Sequence, residues 1–287
     1  MKCISISKLR VLLLAALFIT FPIVNSFGQN HRKPDPIEVM CFYNVTYRPD
    51  STDMDYILHE EFTLFIGSDT YQSQSSNSLI PLLYINANDL DGFLSAMAQG
   101  KIPPTRFTST HYINYSKGDI VTIDKIGMDE YKYTVPMESL QWTIKPESKK
   151  IGNYVVQKAL ATFGGREWIA WFTTEIPYSA GPYLFHGLPG LIVKISDTRE
   201  HYTFELHNIL KPEGFDYIKI DDKPRTTITK AEFFALRNRF HKNPVAGLLQ
   251  SVEATGATMT FDDPAAAQMS ANEASRRRNN PIELKPD

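Results

Sequence analysis

The chain has 287 residues, 43% of them hydrophobic and 12% aromatic, with a formal net charge of −2. So many aromatics exclude a disordered chain, and the length suits one large or two small domains. The mildly acidic balance argues against nucleic acid as the main partner.

The N-terminus reads as a secretory signal over residues 1–28. Lys2, Lys8 and Arg10 form a basic start, Val11 to Ile19 an apolar run, and Ser26 and Gly28 the small residues before a cut at Gln29. A membrane anchor needs about 20 apolar residues, and this run is shorter and interrupted by Thr20 and Pro22. Cleavage takes three basic residues and no acid, so the mature charge moves from −2 to −5. It leaves Cys41 as the one cysteine, unable to form an internal disulfide and set in an apolar strand as a small hydrophobe. The signal implies an exported protein of the periplasm or the exterior, and with no other run long enough to span a membrane the mature chain is expected to be soluble.

From residue 29 to 262 the pattern is one β-rich domain. Ile37 to Tyr47 is rich in β-branched and aromatic residues, and the next strand alternates Phe62, Leu64 and Ile66 before a turn at Gly67-Ser68-Asp69. A helix follows, with Asn88 as N-cap, Leu90, Phe93, Leu94 and Met97 as its apolar stripe, and Gly100 as its end. From Tyr112 to Leu210 strand succeeds strand. Gly164-Gly165 marks one hairpin, because both glycines take φ > 0 freely, and DTRE (Asp197 to Glu200) marks another. A second helix starts at the capping box Thr229/Glu232, carries Phe233, Leu236 and Phe240, and ends at Asn243-Pro244. Residues 263–287 read as a polar tail containing a surface helix or disorder, with Arg276-Arg277-Arg278 as a solvated basic island. The fold class is mainly β (α+β): an antiparallel meander forming a curved sheet or half-open barrel, with two packing helices.

Catalytic signatures are sparse. His59-Glu60-Glu61 starts like a zinc-protease motif, but Thr63 stands where the second histidine is required. In HYTFELH, His201 and His207 lie about 20 Å apart along a strand, too far to share an ion. Glu205 and His207, joined by His186, are the remaining metal candidates; no cofactor signature is present. Glu175 with His186 is the candidate acid/base pair for a hydrolase.

Aromatics dominate instead. Trp168, Trp171 and Phe172 lie on one strand, and Trp168 and Trp171 have opposite parity, so each face carries an indole. Either both faces are covered by protein or one lines an apolar groove. Tyr178, Tyr183, Phe185, His186 and Leu188 follow in the connection to the next strand and complete the candidate ligand-binding set. Pro177 and Pro182 keep that connection extended. Leu188-Pro189-Gly190 fits a type II turn, with Gly187 and Gly190 permitting close approach of a backbone or ligand before Leu191 and Ile192 enter a strand. Tyr183 and Phe185 either point outward as a binding lip or inward as a plug; the usual burial of large apolar side chains favours the plug.

FHGLPGLIVKISD (Phe185 to Asp197) resembles the signature of the GLPGLI family, secreted proteins of Bacteroidetes-type bacteria with no settled function. The likeness extends from Gln141 through the KKIG turn, the hairpin at Gly164-Gly165 and the A-W-F-T-x-E-I-P strand end. It returns in NNPIEL (Asn279 to Leu284). Tyr154-Val155-Val156 departs from the pattern, since family members often carry a cysteine shortly after the KKIG turn. The meander, its I-P/G-P crossover and its Gly-Leu-Pro turn are also similar to the periplasmic lipoprotein-carrier fold. That is a half-open barrel whose concave face holds acyl chains beneath a lid of helices. These resemblances imply a non-enzymatic module binding a lipid, an apolar peptide or an outer-membrane or envelope protein; the alternative is a metal-dependent or acid/base hydrolase.

Overall fold

The structure, a computed structural model, describes residues 33–138, 140–220 and 223–286. The expected signal, residues 1–28, lies outside the described residues. Thirteen strands and five α-helices occur among those described.

The first half is built from β1 (Asp35–Tyr47), β2 (Leu58–Gly67) and β3 (Thr70–Ser75), then a 3-10 turn at Ser76–Leu79, α1 (Ile80–Asn86) and α2 (Leu90–Ala98). Next come β4 (Thr110–Asn114), β5 (Asp119–Ile126) and β6 (Asp129–Pro136). The second half runs through β7 (Thr143–Ile151), β8 (Tyr154–Phe163), β9 (Arg166–Thr173), β10 (Leu191–Asp197) and β11 (Tyr202–Leu210). The short β12 (Tyr217–Ile218) and β13 (Thr226–Thr227) precede α3 (Lys230–Lys242), α4 (Pro244–Glu253) and α5 (Pro264–Arg276).

All strands join one open sheet in the order β13-β6-β5-β4-β3-β2-β1-β11-β10-β9-β8-β7, with β12 on the end of β1. Every pairing is antiparallel except that of β13 with β6. The β8–β9 hairpin turns at Gly164 (φ 59°) and Gly165 (φ 76°), the left-handed pair that the sequence marks. β7 is the far edge. Pro146 falls within its register break between Ile144 and Ser148, where a missing N–H costs no ladder bond.

The sheet curls around the connection between β9 and β10, residues 174–190. Its inner face supplies Cys41, Tyr43 and Val45 from β1, Phe62 and Leu64 from β2, Trp168 and Phe172 from β9, and Phe204 from β11. The connection adds Tyr183, Leu184, Phe185 and Leu188 to the same core. The outer face carries a smaller cluster, including Met40, Phe65, Tyr112, Val121 and Ile218. Cys41 has no exposure, and burial pushes its thiol up to about 12, so it is an inert hydrophobe.

Several local expectations need correction. Asn88 does not cap α2: it sits at φ 54°, and Asp89 is the cap, accepting from Gly92 N at 2.9 Å. The Thr229/Glu232 box is present at α3, and Asn243 ends that helix. Pro244 then opens α4, since the first helical position needs no N–H, so the chain has more than two helices. The span 263–287 does contain a helix, α5, with no buried residue. Beyond it Asn280, Ile282 and Glu283 are buried, so residues 280–283 join the core while α5 and Arg276-Arg277-Arg278 stay at the surface. Leu188-Pro189-Gly190 makes a tighter turn than type II, with Gly190 N donating to Leu188 O at 2.8 Å and φ 150° at Gly190.

Candidate functional site

The 174–190 connection is held from every side. Tyr183 N donates to Ser73 Oγ (2.7 Å), Tyr115 Oη to Ser179 O (2.8 Å) and Trp142 Nε1 to His186 O (2.8 Å), and just beyond the connection Tyr43 Oη donates to Ile192 O of β10 (2.8 Å). These partners lie on β3, the β4–β5 turn, the approach to β7, and β1. The recurring prolines and glycines prevent a helix, and the backbone polar groups are satisfied partly by these neighbours and partly within the connection, as in Gly187 N to Ser179 O (3.3 Å) and Phe185 N to Pro182 O (3.2 Å).

Tyr183 and Phe185 point inward. Phe185 packs on Trp168 at 4.5 Å between ring centroids, on Phe163 at 5.6 Å and on Phe204 at 6.4 Å. Trp168 donates its indole N–H to Phe163 O, and Phe172 and Leu188 are fully buried. Of the candidate ligand-binding residues, Trp168, Phe172, Tyr183, Phe185 and Leu188 are side chains of one core cluster, and His186 is buried beside them in the chain. The inner face that a carrier fold would leave open is filled by the protein's own connection. Trp171 faces the other way, half-exposed beneath the Lys149 ammonium at 3.9 Å, and half-buried Tyr178 donates to Glu38.

The polar candidates do not converge. Glu175 is exposed and accepts from Val155 N at 3.0 Å. His186 is buried, with its ring Nδ1 against Leu184 O at 2.8 Å, and burial lowers its pKa despite that bond. On β11, Glu205 pairs with Lys194 (2.6 Å) and His207 with Glu61 (2.9 Å). Among the described residues, no group of three or more His, Cys, Asp and Glu side chains is placed to hold a metal ion.

Two buried polar clusters fasten the C-terminal segment across the sheet. Arg166, at the start of β9, donates to Asp197 (3.0 Å), to Asn280 Oδ1 (2.5 Å) and to the carbonyls of Pro281 and Ile282. Tyr202 Oη reaches Asn280 O at 2.6 Å. Glu283 accepts from Tyr183 Oη at 2.6 Å and pairs with Lys230 of α3 at 2.7 Å. His111 stacks edge-on to Tyr183 at 4.5 Å and bonds Ser109 and Thr122 at 2.9 and 3.0 Å. Burial, with the Lys230 charge nearby, lowers His111 to about 3, so it is neutral at physiological pH. NNPIEL, prominent in the sequence as a motif, is therefore a latch.

Open space lies on the outer face. A cleft of about 500 Å³ crosses β1–β6 between the 3-10 turn with α1 on one side and Phe215, Tyr217, Lys219, Lys223 and Arg225 on the other. Phe65, Leu79, Tyr112, Ile123 and Phe215 form its floor and walls, Gln72 and Gln74 project into it from β3, and Lys125, Glu130, Lys219, Lys223 and Arg225 line it too. A second, smaller hollow of about 360 Å³ lies between β6 and the α3–α4 pair. Sequence reasoning missed the larger cleft because its parts come from six separated segments. The only local trace is period-2 alternation: Gln72 and Gln74 share one parity while Tyr71 and Ser73 face the core side.

Comparison with known proteins places residues 165–194 in a match to the family described as "Protein of unknown function (Porph_ging)". Those residues are β9, the inward connection and the entry to β10, the segment whose packing defines the core. No functionally curated protein is significantly similar to the chain. Two crystal forms of PNGF-II are similar in structure, each at 13% identity with a TM-score of 0.48 over 71% of this chain. The match spans 33% of the PNGF-II chain.

Proposed function

We propose that this is an exported envelope protein acting as a non-enzymatic binding module, and that its ligand site is the outer cleft rather than the inner face. The observation that supports the reading is the contrast between the two faces. Trp168, Phe172, Phe185 and Leu188 fill the inner face to at most 1% exposure, whereas the outer cleft keeps about 500 Å³ of space over an apolar floor. Volumes of roughly 300–1,000 Å³ lined by apolar and aromatic side chains with a few polar groups are typical of small-ligand sites. The hydrolase alternative draws no support from the geometry, since Glu175 and His186 each turn to a separate partner. Export rests on the basic start and apolar run of residues 1–28.

The test is titration of the purified protein with N-phenyl-1-naphthylamine, an uncharged fluorophore that brightens in apolar surroundings. The wild type binds it saturably; Phe215→Asp, in the wall of the cleft, abolishes the signal with the circular dichroism unchanged; Trp171→Ala, on the outer face of β9, leaves it intact. Binding that survives Phe215→Asp and vanishes with Trp171→Ala places the site elsewhere and defeats the reading.

A further inference from the structure

Two side-chain amides sit in the floor of the outer cleft. Gln72 and Gln74 project there from β3. The strand register sets Gln72 between Phe65 of β2 and Tyr112 of β4, and Gln74 between Thr63 and Thr110, with Ile123 of β5 next in that row. Gln74 is only 4% exposed. An amide covered to that degree costs free energy unless it is hydrogen-bonded.

The two amides satisfy each other only in part. Gln72 Nε2 donates to Gln74 Oε1 at 2.9 Å. Gln72 Oε1 and Gln74 Nε2 meet no protein partner among the described residues, and both atoms stay accessible. Exchanging oxygen for nitrogen in both amides reverses the bond and still leaves one carbonyl and one NH2 free. Other hydroxyls of the lining are already committed. Ser78 Oγ donates to Ser75 O (2.6 Å), Thr105 Oγ1 to Glu60 (2.7 Å) and Thr108 Oγ1 to Asp124 (2.6 Å). Beside the glutamines, Phe65 and Phe215 pack at 5.3 Å between ring centroids and supply an apolar wall.

Resting on the reading of the cleft as the ligand site, we propose that it takes an apolar peptide. One main-chain amide of the peptide donates to the Gln72 carbonyl and accepts from the Gln74 NH2, and its side chains lie on Phe65 and Phe215. A secondary amide offers one N–H and one C=O, the complement of what the pair leaves free, whereas a bare hydrocarbon chain leaves both without a partner. The contact is made on the face of the sheet and not by strand addition, since β3 is already paired on both sides by β2 and β4.

Displacement of bound N-phenyl-1-naphthylamine from the full chain tests this with uncharged competitors. They are N-acetyl-leucyl-leucine methyl ester and its depsipeptide, in which oxygen replaces the central N–H. The peptide displaces the fluorophore at about threefold to tenfold lower concentration than the depsipeptide, the worth of one neutral hydrogen bond. Gln72→Leu with Gln74→Leu, which keeps the side-chain volume and the circular dichroism, abolishes that preference. Equal displacement by peptide and depsipeptide overturns the amide proposal while leaving the cleft as a site. So does a preference that survives the double substitution. If N-methyldecanamide outcompetes methyl decanoate while the two leucine compounds do not differ, the ligand is an acyl amide and the peptide proposal falls. A fluorophore that does not bind at all overturns the reading of the cleft, and this proposal with it.

Discussion

Tyr183 donates its phenolic hydrogen bond to Glu283 at 2.6 Å, joining the inward connection to a carboxylate one hundred residues further along the chain. Glu283 in turn neutralises Lys230 at the start of α3. A largely covered lysine, a buried carboxylate and a buried tyrosine thus tie three segments that share no strand pairing. Glu283→Gln leaves the Lys230 ammonium nearly buried with no counter-charge, and costs about 3–5 kcal/mol in chemical denaturation. Tyr183→Phe loses one hydrogen bond and costs about 1–2 kcal/mol. Removing residues 279–287 also strips Arg166 of three of its acceptors. That truncation lowers stability more than either substitution and exposes the inner aromatic core, read as a rise in dye binding with loss of near-ultraviolet circular dichroism.

Gly190 and Gly187 separate two meanings of a glycine in the same motif. At Gly190 a Cβ would run into the Thr173 carbonyl, and φ is 150°, so Gly190→Ala combines a backbone clash with a strained dihedral. At Gly187 φ is 92°, but the nearest atom to a Cβ is Trp142 Nε1 at 3.8 Å. Gly187→Ala therefore costs about 1–2 kcal/mol of strain, and Gly190→Ala several-fold more. Paired denaturation curves check the order; equal losses would show that the close approach of Thr173 contributes nothing.

His111 makes stability depend on pH. Burial first, then the Lys230 charge, disfavour its imidazolium, so its folded pKa, about 3, lies below the unfolded value of roughly 6.5. A group depressed in this way contributes its full stability above the unfolded value and loses it as pH falls towards the folded one. Unfolding free energy should decline from about pH 6 downward by up to about 1.4 kcal/mol per pH unit from this group. Asp35 acts below that window. Burial raises its carboxyl, but the Ser68 hydroxyl and the N–H groups of Asp69, Thr70 and Ser68 more than offset this and hold it below the usual value, so its contribution fades only below about pH 4. His111→Asn makes the slope between about pH 6 and 4 shallower, leaving the share of His186, His201 and His241, which burial also lowers, and leaves the Asp35 slope; a profile unchanged by the substitution would contradict the assignment.

Local chemistry was legible and long-range placement was not. Gly164-Gly165 and the Thr229/Glu232 box are decided by residues within four positions of one another, and both occur where the sequence marks them. The inward turn of Tyr183 and Phe185 followed from their bulk alone. What met them did not, because Ser73 lies 110 residues from Tyr183. NNPIEL reads as polar and proline-bounded, yet Asn280 and Glu283 are buried because Arg166, Tyr202 and Lys230 satisfy them. Polarity predicts solvent only when no partner waits in the core. The outer cleft left almost no trace in the sequence, since neither its apolar nor its charged residues share one periodic segment.

The central claim is that the inner face is closed and the outer cleft is the binding face. Hydrogen–deuterium exchange of the protein with and without saturating N-phenyl-1-naphthylamine tests it most directly. The account predicts slower exchange in residues 72–82 and 215–220, with residues 176–190 unchanged. Slower exchange in 176–190 with the cleft unchanged would mean that the connection opens to admit the ligand, and would contradict it.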